Sequence, residues 1–122
     1  MILVDTSLWI DHLRAPEPQL SDLLAQGQVL AHPFVIGEIA LGQLPKRRAV
    51  LSSLQALPQA VKAHDNEVME FVEKHALFAI GIGYVDVHLL ASARLSPSGQ
   101  FWTRDKRLRA ASERLQLSAN LD

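Results

Sequence analysis

The chain has 122 residues, of which 48% are hydrophobic and 20% are charged, with a formal net charge of -1. This length and composition predict one globular domain over residues 1–122 and exclude a disordered chain. The absence of cysteine excludes a disulfide framework and a thiolate metal site, and the near-zero net charge excludes an overall basic field for nucleic acid.

The chain starts MILVDTSLWI, without a basic leader, and its first apolar run ends at Asp5. We therefore expect neither export nor a membrane span, and the lack of cysteine fits a cytoplasmic location.

Strands and helices are predicted to alternate along the chain. Short apolar runs predict strands, and amphipathic segments bounded by capping residues, Gly or Pro predict helices. Such alternation favours an α/β fold with a parallel sheet. The predicted strands are Ile2–Val4, Val29–Ala31 and Gln100–Thr103, and the predicted helices are Leu8–Arg14, Gln19–Gln26, Phe34–Leu41, Pro45–Leu57, His64–Ala76, Tyr84–Leu95 and Asp105–Leu115.

Four acidic residues stand in or beside apolar segments, namely Asp5, Glu38, Asp86 and Asp105. Glu38 and Asp86 have mostly apolar neighbours at the helical spacings of three and four residues, so we expect both to point inward. Asp5 and Asp105 each follow a strand and precede a helix, and taken alone each is equally well explained as a helix cap. Asp5 also ends the first strand, where open α/β sheets place their ligands.

Together the four carboxylates predict a shared metal site, because a buried carboxylate needs a compensating cation or hydrogen bonds. Oxygen ligands without cysteine or a histidine pair select Mg²⁺ or Mn²⁺. Repulsion within the metal-free site should raise the pKa of at least one acid. Such sites hold a phosphate and activate water, so phosphodiester hydrolysis is the predicted chemistry. The five histidines are dispersed, and His88, two residues from Asp86, is interpreted as a packing or surface residue.

Four segments carry a resemblance to a known family: VDTSLWIDHLR, VIGEIALG around Glu38, GYVDVHLLASA around Asp86, and TRDKRL around Asp105. They resemble the PIN-domain ribonucleases, in particular the VapC toxins of type II toxin-antitoxin systems, in the family's order and spacing over nearly the whole chain. The resemblance implies a three-layer α/β/α PIN-like fold with a central, mostly parallel sheet. It also implies Mg²⁺- or Mn²⁺-dependent endoribonuclease activity.

The same resemblance implies partners and residue roles. The expected partners are RNA, a VapB-type antitoxin, a second copy of the chain in a homodimer, and operator DNA reached only through the antitoxin complex. Leu108 stands where many relatives have an aromatic residue, and the final strand after Leu115 is short. By position, the catalytic and metal-binding acids are Asp5, Glu38, Asp86 and Asp105, supported by the hydroxyl groups of Thr6, Ser7 and Thr103.

Substrate and antitoxin contacts are predicted from local clusters. The basic residues around Asp105 are candidates for RNA phosphates, with Lys46, Arg47 and Arg48 as a second possibility. Apolar residues of the first two helices are candidates for an antitoxin groove. The basic candidates are Arg104, Lys106, Arg107 and Arg109, and the groove candidates are Leu8, Trp9, Leu20, Leu23 and Leu24.

Other classes remain as alternatives. A phospho-acceptor signalling module has a similar length, but it would need paired acids beside the first strand. A dehalogenase-like phosphatase would need an aspartate where Ser7 stands. A catalytically inactive PIN-like interaction domain is opposed by the completeness of the acidic set, and metal-dependent RNA cleavage that is lost in Asp5→Asn would exclude it.

Overall fold

The fold is described from a computed structural model that covers residues 1–122. Every predicted strand and helix is present, with ends that differ by at most two residues. The strands are β1 (Ile2–Val4), β2 (Val29–Leu30) and β3 (Gln100–Trp102). The helices are α1 (Thr6–Arg14), α2 (Pro18–Ala25), α3 (Pro33–Ala40), α4 (Arg47–Ala56), α5 (Asp65–His75), α6 (Tyr84–Leu95) and α7 (Lys106–Arg114).

The three strands form one parallel sheet with the order β2-β1-β3. Leu3 of β1 lies opposite Leu30 on one side and Phe101 on the other. All three residues of β1 are buried, as expected for a central strand whose parallel neighbours are joined to it through helices. This arrangement agrees with the predicted three-layer α/β/α architecture and its central parallel sheet.

Each edge of the sheet is extended by a single bridge. Ala31 pairs with Gln59 beyond β2, and Ser118 pairs with Phe101 beside β3. The segment around Ser118 is the predicted final strand, and it is as short as expected. Gln116 and Asn120 flank it with φ of 59° and 57°, so the chain leaves the extended conformation on both sides.

The core lies around β1 and β3 and beneath α6. Its largest fully buried side chains include Trp102, Phe101, Leu3, Leu8 and Leu90. The middle of α6 is buried on nearly all sides, from Val87 to Ala93. None of the seven helices combines the length and the apolar character needed to cross a membrane.

A buried histidine joins the two helices that carry Glu38 and Asp86. His32 caps α3 by accepting a hydrogen bond from the backbone N–H of Phe34 at Nδ1 (3.0 Å). Its Nε2 then carries the proton and donates to Ser92 Oγ on α6 (3.1 Å). Burial, helped by the charges of His88 and Lys62, lowers the pKa of His32 to about 4. The ring is therefore a neutral link between α3 and α6.

This link predicts a loss of stability in acid. The pKa of His32 is about 4 in the folded protein against an ordinary value of 6.5, so between these pH values the unfolded chain binds a proton that the folded chain does not. The free energy of unfolding should fall by roughly 3 kcal/mol as the pH drops through this window. Urea titrations at pH 7 and pH 4 would measure it.

His32→Asn is the matched variant, because asparagine still caps the helix but does not titrate. It should be less stable than the parent at pH 7, since Ser92 loses its hydrogen bond to the histidine ring, and it should lose less stability on acidification. Equal losses in the two proteins would contradict the assignment to His32.

Candidate active site

The site lies where β1 and β3 end side by side. Asp5 follows β1 directly, and its backbone N–H donates to the carbonyl of Trp102, the last residue of β3 (3.0 Å). Asp105 follows three residues later. Parallel strands have their carboxyl ends at one edge of the sheet, which is the edge where ligands bind in open α/β folds.

Asp5 is held by two hydrogen bonds. Its Oδ1 accepts from the backbone N–H of Thr6 (2.8 Å), which makes it the N-cap of α1, and its Oδ2 accepts from the hydroxyl of Thr103 (2.7 Å). Burial raises the pKa of Asp5, and the charges of Asp86 and Glu38 raise it further although both hydrogen bonds oppose them. The expected rise in pKa is thus confirmed, but burial rather than mutual repulsion is its largest cause.

Glu38 is exposed on α3, so its predicted inward orientation is wrong. Its apolar neighbours did not mark a buried face: Leu41, three residues on, is 89% exposed, and the core contacts of α3 come from Val35 and Ile39. Glu38 nevertheless faces the site, because its Oε1 accepts a hydrogen bond from the hydroxyl of Thr6 (3.1 Å).

Asp86 is half-buried in the first turn of α6, so it does not lie in the core as the sequence suggested. Its Oδ2 accepts a hydrogen bond from the backbone N–H of Gly83 (3.0 Å). This bond satisfies one free donor at the start of the helix, where a negative charge also suits the helix dipole.

Asp105 is the N-cap of α7, with Oδ1 accepting from the backbone N–H of Leu108 (2.9 Å). It is exposed, and no hydrogen bond joins its side chain to the other acids. Its backbone N–H donates to Thr103 Oγ1 (3.1 Å), whose own proton is donated to Asp5. The link between the two strand ends therefore runs through Thr103. Ser7 is exposed beside Thr6.

The carboxylate oxygens of the site suit a hard cation, but the side chains do not form a complete set of metal ligands. No three acidic or histidine side chains are grouped closely enough to hold a metal ion. Asp5 is half-buried and lies within the electrostatic influence of Glu38 and Asp86. Such a group supplies carboxylate oxygens and negative charge that lacks a nearby cation, which is the chemistry that Mg²⁺ and Mn²⁺ satisfy.

The four basic candidates for RNA contacts have different surroundings. Arg104 makes two hydrogen bonds to Glu17 (3.0 and 2.9 Å) and lies 3.6 Å from Asp11. Arg109 pairs with Glu113 one helical turn away (3.3 Å). Lys106 and Arg107 have no carboxylate within ion-pair distance, so they remain available for phosphates. In the second cluster, Arg47 donates to the carbonyls of Ala40, the last residue of α3, and of Gly42, two residues beyond it.

An apolar groove of about 320 Å³ lies between α1, α2 and α4. The sequence predicted an antitoxin groove on the first two helices, with some of its five candidate residues in the core. Trp9 and Leu24 line the groove, whereas Leu8 and Leu20 are fully buried core residues and Leu23 packs against the core. Further lining residues are His12, Leu13, Lys46, Ala49, Val50, Ser53, Leu54 and Leu57.

Two curated proteins are similar to the chain over nearly its whole length. Each is named Ribonuclease VapC32 and comes from Mycobacterium tuberculosis, one from strain CDC 1551 / Oshkosh and one from strain ATCC 25618 / H37Rv. Each is 46% identical over 111 residues, which cover 91% of this chain and 90% of the relative. No family model and no solved structure matches the chain.

The half-buried carboxylate of Asp5 predicts a second pH effect, opposite in sign to that of His32. Its pKa is raised above the ordinary value of 3.8, so above this value the folded protein retains a proton that the unfolded chain has lost. This contribution weakens the fold as pH rises through the folded-state pKa. Asp5→Asn keeps an acceptor for Thr6 and removes the charge. Without metal, the melting temperature of the variant minus that of the parent should therefore be larger at pH 7 than at pH 4.

Asp22→Asn is the control, because Asp22 is an exposed acid on α2 whose side chain makes no hydrogen bond. Its melting temperature should equal that of the parent at both pH values. If the melting temperatures of Asp5→Asn and the parent differ by the same amount at pH 4 and pH 7, the pKa of Asp5 is not raised in the folded protein.

Proposed function

The chain belongs to the VapC family of PIN-domain ribonuclease toxins, and from this membership we propose that it is a metal-dependent endoribonuclease that cuts RNA phosphodiester bonds. The observation that carries the proposal is that Asp5, at the carboxyl end of the central strand, lies within the electrostatic influence of Glu38 and Asp86. Family membership sets aside the phospho-acceptor and phosphatase alternatives.

We propose that Asp5, Glu38 and Asp86 hold Mg²⁺ or Mn²⁺, and that Asp105 acts through water or orients the nucleophile. When bound, such an ion supplies Lewis-acid chemistry, because it polarises the phosphate and lowers the pKa of water. The support lies in the donor set of carboxylate oxygens and in the raised pKa of Asp5.

The other residues of the site keep the carboxylates in place. Thr103 donates to Asp5, Thr6 donates to Glu38, and the backbone of Gly83 donates to Asp86. Each bond restricts the rotation of a carboxylate and leaves its other lone pairs free for a ligand. Thr6 and Thr103 therefore act as positioning residues in this proposal. The hydroxyl of Ser7, exposed at the start of α1, is the third proposed support.

The groove between α1, α2 and α4 is the proposed seat of a VapB-type antitoxin. Its apolar lining fits the nonpolar face of a helix. An arginine or lysine from the antitoxin would satisfy the acidic site and exclude the metal ion. We also propose a cytoplasmic homodimer that meets operator DNA only through the antitoxin. Apolar side chains outside the groove, such as Phe78 and Met69, are exposed and support a further interface.

Cleavage of RNA by the purified chain tests the catalytic proposal. Mn²⁺ or Mg²⁺ should support cleavage and excess EDTA should abolish it. Glu38→Gln should reduce kcat by more than about 100-fold, since even the outer partners of metal ligands are worth roughly 10- to 100-fold. Glu70→Gln, at an exposed acid on α5, should keep full activity. Full activity in EDTA or in Glu38→Gln would refute the assignment.

The antitoxin proposal is tested by co-purification with the small protein encoded beside this one. Val50→Glu puts a charge into the groove, and burying it should weaken the complex by about 100-fold or more. Gln55→Glu adds the same charge to an exposed position of α4 outside the groove and should leave binding unchanged. Cleavage of free RNA should persist in both variants. Intact binding by Val50→Glu would place the antitoxin elsewhere.

A further inference from the structure

A second cavity, of about 230 Å³, lies between α7 and the connection from α5 to α6. Arg107 and Arg114 stand at two ends of one face of α7, and the small side chains of Ala110 and Ala111 lie between them. Ile80, from the connection, forms the facing wall. The cavity is thus an apolar recess that carries two guanidinium groups.

Neither arginine has a carboxylate partner, in contrast to Arg104 and Arg109. Arg114 Nη2 donates to the carbonyl of His75 at the end of α5 (2.9 Å). The guanidinium of Arg107 lies directly over Gly81. Arg114 is therefore held by a backbone carbonyl, Arg107 packs against Gly81 without a hydrogen bond, and neither is neutralised by a carboxylate.

Gly81 is required by this placement of Arg107. A Cβ at Gly81 would lie 2.5 Å from Arg107 Nη1 and 2.8 Å from its Cδ. The residue also has φ of +83°, which L side chains rarely adopt. Only glycine allows the arginine to lie across the connection at this point.

The cavity shares its elements with the acidic site. Arg107 is in the first turn of α7, two residues after Asp105. The connection beneath it continues to Gly83, which holds the carboxylate of Asp86. An RNA strand bound at the acids therefore has a short path along α7 to the two arginines.

We infer that this cavity is a subsite for a phosphate of the RNA other than the one that is cut. The inference rests on the proposed ribonuclease function. Arginine N–H groups bind phosphate oxygens in a bidentate geometry. No ion pair of Arg107 or Arg114 with a carboxylate has to be broken before they do so. The alanines and Ile80 offer no side-chain hydrogen bonds to a base, so the subsite holds the strand without reading its sequence.

Binding of a short fluorescein-labelled single-stranded RNA, followed by anisotropy in EDTA over a range of salt concentrations, tests the subsite without catalysis. Arg107→Gln should raise Kd several-fold and reduce the slope of log K against log salt by roughly 0.7, the value for one lost contact to a single strand. The double variant with Arg114→Gln should reduce both further. Arg109→Gln removes the same charge from the same helix at a paired position and should change neither.

Arg107→Gln decides the question, because Arg107 makes no hydrogen bond within the protein and its loss should leave the melting temperature unchanged, whereas Arg114 also caps α5. An unchanged Kd and salt slope in Arg107→Gln would overturn the subsite, as would an equal loss in Arg109→Gln. RNA binding that depends on Arg107 in a protein that cuts no RNA would keep the subsite and refute the catalytic proposal. In an active enzyme, KM should rise while kcat stays within about twofold.

Discussion

The structure depends most on one half-buried carboxylate. Asp5 ends the central strand, caps the helix that follows and accepts a hydroxyl proton from the neighbouring strand end. Burying a charged group costs several kcal/mol unless other groups compensate it, and two hydrogen bonds do so only in part, since the pKa of Asp5 remains raised. A cation placed beside Asp5 would relieve the remaining cost.

The acids of this site have structural roles. Asp5 and Asp105 cap helices, and Asp86 accepts a backbone proton in the first turn of a third helix. Helix starts provide free N–H groups and a favourable field for negative charge, so carboxylates can gather there at a lower cost than in an apolar core. His32 adds a neutral link between two of the helices concerned, α3 and α6.

The basic side chains differ in whether they have acidic partners. Arg104 is bound to Glu17 and Asp11 at the surface, and Arg109 to Glu113 on its own helix. Arg107 and Arg114 are left without carboxylate partners beside a recess. A protein with a net charge of -1 can therefore present local positive charge although it has no overall positive field.

The sequence by itself determined the order and the type of the strands and helices, because hydrophobic periodicity and capping residues act over a few neighbouring positions. It also indicated the family to which the chain belongs. It did not determine which side of α3 faces the core, since Leu41 is apolar and yet exposed, and so it placed Glu38 inward.

The tertiary structure alone decided which distant residues meet. Thr103 bonds to Asp5 across 98 positions of the chain, His32 to Ser92 across 60, and Arg104 to Glu17 across 87. The composition of the cluster around Asp105 made its four basic residues equivalent, and only the fold separated those with acidic partners from those without. Local sequence patterns do not encode such encounters, because they depend on how the sheet and the helices pack, and that packing is a property of the whole chain.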